Sequence, residues 1–174
     1  MTTEKKPLQV VSIKELLAEG RTEQELLPIC EELYGMTDFI CADYPKHKSW
    51  FYQKHLPATF VPGSGRDIIF AYDETGKTYG TSFIKEDETE KKICTLFVSE
   101  DARGLGVGTL LVEKSMELLG TTKPMITLAD YKLPMFEGLI KKYGWVKTEE
   151  VSGLYNDKYK ELVYNGSLTQ PGSN

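Results

Sequence analysis

Apolar residues follow two different periods along this chain, and the switches between them mark its elements. Leu8 to Ile13 is apolar and β-branched and predicts a first strand. Thr22 suits a helix N-cap, and Glu25 three residues later completes a capping box. Behind it Leu26, Leu27, Ile29, Cys30, Leu33 and Tyr34 recur at helical spacing. A second helix is predicted over Lys46 to His55, with Trp50, Phe51 and Lys54 along one side and Pro57 as its stop. Pro57 to Arg66 holds prolines and glycines and reads as a loop. Three strands follow, Asp67 to Tyr72, Thr78 to Lys85 and Lys92 to Val98, with polar turns at 73–77 and 86–90. Turns this short join antiparallel neighbours.

The pattern then changes. Between Leu105 and Leu119 the apolar positions 107, 110, 111, 112, 116, 118 and 119 describe an amphipathic helix, closed by Gly120. Met125 to Ala129 reads as a buried strand, and Pro134 to Tyr143 as a short helix ending at Gly144. Trp145 to Tyr155 and Lys158 to Tyr164 make two closing strands, turned at Asn156-Asp157. The centre is therefore strand, glycine loop, helix, strand, and a helical crossover makes its two strands parallel. Antiparallel strands flank it, so the predicted class is α/β (α+β) with one mixed sheet. The length suits a single domain over 1–174, with loose ends at 1–6 and 167–174.

Composition narrows the function classes. The formal net charge is −5, which speaks against a general nucleic-acid binder, since such surfaces are usually basic. Cys30, Cys41 and Cys94 lie far apart with no C-x-x-C pair, so free thiols in a reducing compartment are expected rather than a disulfide frame or a metal site. The polar start Met1 to Lys6 lacks a following apolar segment of the signal-peptide kind. No apolar run approaches the ~18 residues of a membrane span. These features together predict a cytoplasmic protein.

The chemistry concentrates between Val98 and Leu111. A strand ends, a polar turn follows, and Gly104, Gly106 and Gly108 open a helix. Glycines let backbone N–H groups approach an anion, and a helix N-terminus adds free donors and partial positive charge. Arg103 contributes a bidentate cation. Three glycines cost about 1 kcal/mol each where they are helical, and a bound phosphate is a reason to bear that cost. A Walker loop needs Lys-Ser or Lys-Thr after its last glycine, whereas Thr109-Leu110 follows here. A dinucleotide fingerprint needs a third glycine or alanine where Thr109 stands.

The run resembles motif A of the GNAT superfamily of N-acetyltransferases, R/Q-x-x-G-x-G/A, through Arg103, Gly106 and Gly108. Leu96-Phe97-Val98 is similar to that family's strand end, and Gly144-Trp145 to its terminal Gly-Phe. The order of elements from Leu8 to Tyr164 also matches. The resemblance implies a splayed central parallel strand pair and acetyl-CoA as acyl donor. It implies binding of the pantetheine arm by the amides of Leu96, Phe97 and Val98, with Leu96 or Phe97 as oxyanion donor. It implies a pyrophosphate site formed by Arg103, Gly104, Leu105, Gly106, Val107, Gly108 and Thr109. The acceptor is then a primary amine of a small molecule or protein, with no nucleic acid, membrane or metal involved. A homodimer is compatible with it.

The family's tyrosine acid falls four residues before the glycine of Gly-Phe, where this chain has Ile140. Tyr143 is the candidate acid nearby, alongside Tyr131 and Tyr155. Asp130, just past the central strand, is the candidate base, or else a cap for the next helix. His47 and His55, with Lys46, Lys48, Trp50 and Tyr52, form a basic aromatic patch in the region that the resemblance sets over the acceptor. Ile140 leaves a second reading beside the N-acetyltransferase: a non-catalytic acetyl-CoA sensor or interaction module.

Overall fold

Ser12 ends one element and caps the next. In a computed structural model, which describes residues 7–102, 104–154 and 157–166, it closes β1 (Leu8–Ser12) and opens α1 (Ile13–Ala18). Its hydroxyl accepts the Glu15 N–H at 3.1 Å, and the Glu15 carboxylate accepts the Ser12 N–H at 2.9 Å. This helix is absent from the periodicity reading, because six residues are too few to display a period. Its capping box, Ser12-x-x-Glu15, was the available signal. The box at Thr22 and Glu25 forms as expected and starts α2 (Glu23–Thr37).

Pro57 does not stop the next helical run. α3 (His47–Trp50) passes through a wide π-type turn at Phe51–His55 into α4 (Leu56–Thr59). The Leu56 N–H reaches back five residues to the Phe51 carbonyl. Pro57 then falls in the first turn of α4, where its missing N–H costs little. The run ends ahead of Val61-Pro62-Gly63 instead.

β2 (Arg66–Asp73), β3 (Thr78–Glu86) and β4 (Lys91–Val98) form the expected antiparallel meander. α5 (Val107–Leu119) crosses to β5 (Met125–Ala129), which pairs parallel with β4. A 3-10 turn at Asp130–Lys132 leads into α6 (Leu133–Tyr143). The closing strands, β6 (Lys147–Ser152) and β7 (Lys160–Tyr164), are shorter than predicted. Trp145 instead buries its ring and donates its indole N–H to the Thr122 carbonyl at 3.0 Å. Tyr155 and Asn156 lie outside the described residues. The sheet order is β1-β2-β3-β4-β5-β7-β6, so the last strand inserts between β5 and β6.

Both faces of this sheet are covered. Ile69, Ile84, Ile93, Ile126 and Leu128 pack under α5 and α6 with Leu111, Val112 and Phe136. Ile68, Phe70 and Phe83 point the other way, against Leu26, Leu33 and Phe51 of the α1–α4 layer. Successive residues such as Ile68 and Ile69 thus serve opposite cores, as strand alternation requires. Among the described residues no helix is long and apolar enough to cross a membrane. Nor does any group of three or more His, Cys, Asp or Glu side chains there suit a metal ion.

Small residues on β3 let α5 approach closely. A Cβ on Gly80 would lie 2.6 Å from the Phe97 carbonyl oxygen and 2.9 Å from Leu111 Cδ1. Two strand residues on, the buried hydroxyls of Ser82 and Ser115 meet at 2.8 Å. Overpacking here must displace helix or strand. Gly80→Ala is expected to lower unfolding free energy by about 1–3 kcal/mol in chemical denaturation; an unchanged midpoint would contradict the close approach.

Candidate active site

β4 and β5 pair over two rungs only, Lys92 with Met125 and Ile93 with Ile126. The pairing stops at a bulge. Phe83 of β3 faces Thr95 and Ile84 faces Ile93, which leaves Cys94 without an opposite residue. A bulge bends its strand, and β4 parts from β5 beyond it. The Ser99 N–H bonds the Tyr79 carbonyl on β3 at 2.9 Å. Alternation therefore turns the Phe97 amide towards β3 as well, and the N–H and C=O groups of Leu96 and Val98 towards the opening. Phe97 instead contributes its ring, packed edge-on to Phe39 at 5.4 Å.

A groove of about 1170 Å³ occupies this opening. One end is the glycine loop. Gly104 and Gly106 both have left-handed backbones, at φ +87° and +78°, and Gly106 is the N-cap of α5. No side chain caps this helix, and its first turn holds no acidic residue. The N–H groups of Val107, Gly108 and Thr109 belong to that turn, where donors have no partner within the helix. A Cβ at Gly104 or Gly106 would meet no atom within 4 Å, so space lies open in front of the loop. Gly104, Gly106, Val107, Gly108, Thr109, Leu96, Phe97 and Val98 all line the groove. Leu105 is exposed beside it. Arg103 lies outside the described residues.

The opposite wall uses side chains from distant segments. The Tyr44 hydroxyl donates to both carboxylate oxygens of Glu161 on β7, at 2.9 and 3.1 Å. Glu161 is only 1% exposed, and burial pushes its carboxyl above the usual carboxylate range. Burial, then the neighbouring Glu161, also raises the Tyr44 phenol. Tyr131 donates to the Asp43 carboxylate, and Tyr159 donates to the Asp43 carbonyl at 3.1 Å. Lys132 Nζ stands 5.8 Å from the centre of the Tyr44 ring and 5.6 Å from that of Tyr131.

His47 and Trp50 also belong to this wall. His47 Nε2 lies 2.8 Å from the Thr37 hydroxyl, and burial depresses its pKa to about 4. His55 is fully buried away from the groove, hydrogen-bonded to the Asp67 carbonyl and to Arg66. Burial, then Arg66, depresses its pKa to about 3.

Of the sequence-derived proton carriers, Tyr131 lines the groove, whereas Asp130 and Tyr143 do not. Asp130 is exposed, and its carboxylate accepts the Lys160 N–H at 3.4 Å. Tyr143 turns to the far side of α6 and donates to Glu113 on α5 at 2.7 Å. Ile140 packs against the core under α6. Tyr44 and Glu161 were missed in sequence. The signal for Glu161 was a carboxylate on the same strand face as Tyr159 and Val163, both buried.

The sequence model described as the acetyltransferase (GNAT) family matches residues 31–126, more than half of the chain. No curated protein matches in sequence. Among solved structures, the chain is similar to nourseothricin acetyltransferase at 17% identity and a TM-score of 0.52. That match covers 57% of this chain and 64% of that one, so the chain spans less than two thirds of this relative. Ard1 from Thermoplasma volcanium superposes at a TM-score of 0.64 and 16% identity, covering 90% of this chain and 95% of that one. A GNAT family acetyltransferase from Elizabethkingia anophelis with acetyl-CoA bound gives a TM-score of 0.62 at 13% identity, covering 94% and 100%.

Because His47 and His55 are held neutral, folding excludes protons that the unfolded chain binds below its ordinary histidine pKa of about 6.5. Their contribution is complete above that pH and is lost as pH falls from 6.5 towards 4. The loss is at most about 1.4 kcal/mol per pH unit for each histidine. Denaturation from pH 7 to pH 4.5 is expected to give a shallower slope for His47→Gln than for wild type. Identical slopes would mean that His47 is protonated in the folded state.

Proposed function

Because the chain belongs to the acetyltransferase (GNAT) family, we propose that it moves an acetyl group from acetyl-CoA to a primary amine. The observation that carries this reading is the single groove that joins the glycine-opened end of α5 to the parted edge of β4. The residues fit the donor. Gly104 to Thr109, with Arg103, offer amides and a cation to a pyrophosphate. Leu96 and Val98 turn unpaired strand groups to an amide-bearing arm, and Phe97 lines the same path. Bound there, acetyl-CoA supplies a thioester carbon open to attack by an amine.

The chain's own task is to hold the two reactants in line and to manage protons. An amine attacks only when neutral, and a free alkyl amine has a pKa of ~10.4. As a carboxylate, Glu161 suits the removal of that proton, since burial raises its proton affinity above that of an ordinary carboxylate. Tyr44, half-buried in the wall and bound to Glu161, is the route between groove and carboxylate. A backbone donor of β4, Leu96 foremost, faces the side where the thioester oxygen gains charge. The positions of Asp130 and Tyr143 make them second choices for these roles, because their side chains are engaged elsewhere.

Release of CoA from acetyl-CoA, followed over a panel of polyamines, amino acids, aminoglycosides and peptides, tests the activity. At least one amine is expected to exceed background. Tight acetyl-CoA binding with no turnover on any amine would leave only the sensor or interaction module.

Two variants probe the halves of the site. Gly106→Asp sets a negative side chain against the pyrophosphate. Saturating acetyl-CoA is expected to raise the wild-type Tm by several degrees and to give this variant no rise. Gly106→Asn carries no charge and is expected to keep part of that rise. Glu161→Gln is expected to lower kcat about 10²-fold while leaving the acetyl-CoA shift intact; full activity in this variant would remove Glu161 from the reaction.

A further inference from the structure

The charge of the groove opposes the charge of the chain. The whole sequence is acidic at −5. Among the described residues, the charged side chains that line the groove are Lys46, Lys54 and Lys132; no carboxylate lines it, and Glu161 lies buried behind Tyr44. These three make no ion pair there, although lysines elsewhere do: Lys77 with Asp101, Lys114 with Glu15, Lys142 with Glu113. Lys132 is half-buried, and the faces of Tyr44 and Tyr131 are its recorded partners. Cation–π contact offsets only part of the cost of withdrawing an ammonium from water. One more donor stands in this wall. The Trp50 indole N–H is buried and has no hydrogen-bond acceptor among the described residues.

The donor's phosphates compete for these cations, but the geometry favours the acceptor. Lys132 sits on Tyr44, which comes from the segment before α3, in the layer on the sheet face opposite α5. The phosphate cradle opens at the α5 end instead. Tyr44 also carries two opposite charges at once, Lys132 over its ring and Glu161 at its hydroxyl. A site with a cation and an anion on one tyrosine matches a compact molecule that bears both charges.

We propose that the acceptor is a small amine carrying its own anionic group, as a free amino acid does. Its ammonium faces Tyr44, with Glu161 buried behind that hydroxyl, and its carboxylate or phosphonate faces Lys132, with Lys46 and Lys54 further along the wall. This rests on the acetyl-transfer reading for its chemistry, though not for its binding.

The test therefore measures both. CoA release is followed with free L-amino acids, each against its carboxamide, which keeps amine and side chain and loses the negative charge. Binding of the same pairs is measured by calorimetry in the presence of CoA. At least one amino acid is expected to exceed its carboxamide by about tenfold or more in kcat/KM and in affinity. Lys132→Gln is expected to remove that preference and to leave the acetyl-CoA thermal shift unchanged. Equal or better performance of the carboxamides would overturn the proposal. So would a Lys132→Gln variant that weakens acetyl-CoA binding and spares the amino acid. Binding of amino acids in preference to carboxamides, without acetylation of any amine, would uphold the pocket chemistry and defeat acetyl transfer instead.

Discussion

Everything at the candidate site follows from a sheet that stops pairing after two rungs. β4 and β5 hold together at Lys92–Met125 and Ile93–Ile126 and then separate at the Cys94 bulge. Parting strands is costly, because buried backbone groups must find partners elsewhere. Leu96 and Val98 therefore present N–H and C=O groups to a groove instead of to a neighbouring strand. Such an edge matches a partner that carries amides along its length. The gap stays open because each strand is anchored separately, β4 through β3 and β5 through β7.

Two cores keep that geometry rigid. α5 presses on β3 where Gly80 and Ser82 leave room, which fixes the helix N-terminus beside the end of β4. On the other face Phe51, Phe83 and their neighbours seat the α1–α4 layer. That layer brings Tyr44, His47 and Trp50 to the groove. The wide turn at Phe51–His55 belongs to the same packing. Its rings stack tightly, with Tyr34 and Phe51 at 5.0 Å and Trp50 and His55 at 4.8 Å.

Under the proposed transfer, the donor half was legible in sequence because it is local. Gly104, Gly106, Gly108 and the strand before them lie within one short segment, and their effect depends on backbone freedom that glycine alone announces. Most strands were legible for the same reason: alternation and tight turns act between near neighbours. The acceptor half was not. Tyr44 and Glu161 are 117 residues apart and meet only because β7 inserts between β5 and β6. Pro57 misled because its effect depends on hydrogen-bond register, which a preceding π-type turn altered. Asp130 and Tyr143 lie next to β5 and Gly144 along the chain. In space their partners are Lys160 and Glu113.

This division bears on how the two halves can change. A cradle made of backbone amides tolerates nearly any side chain that permits the turn, so a donor site of this kind survives wide sequence divergence. The family match ends at Ile126 and takes in Tyr44 and His47 as well as the bulge, the glycine loop and α5. Lys132 and Glu161 lie beyond it. The wall around Tyr44 consists of side chains, and a single exchange there alters charge or shape without disturbing the glycine loop. Similarity to relatives at 13–17% identity therefore speaks to the fold. Under the proposed acetyl transfer, the identity of the amine is to be read from the few side chains on Tyr44's side of the groove, whose lysines oppose the net charge of the chain.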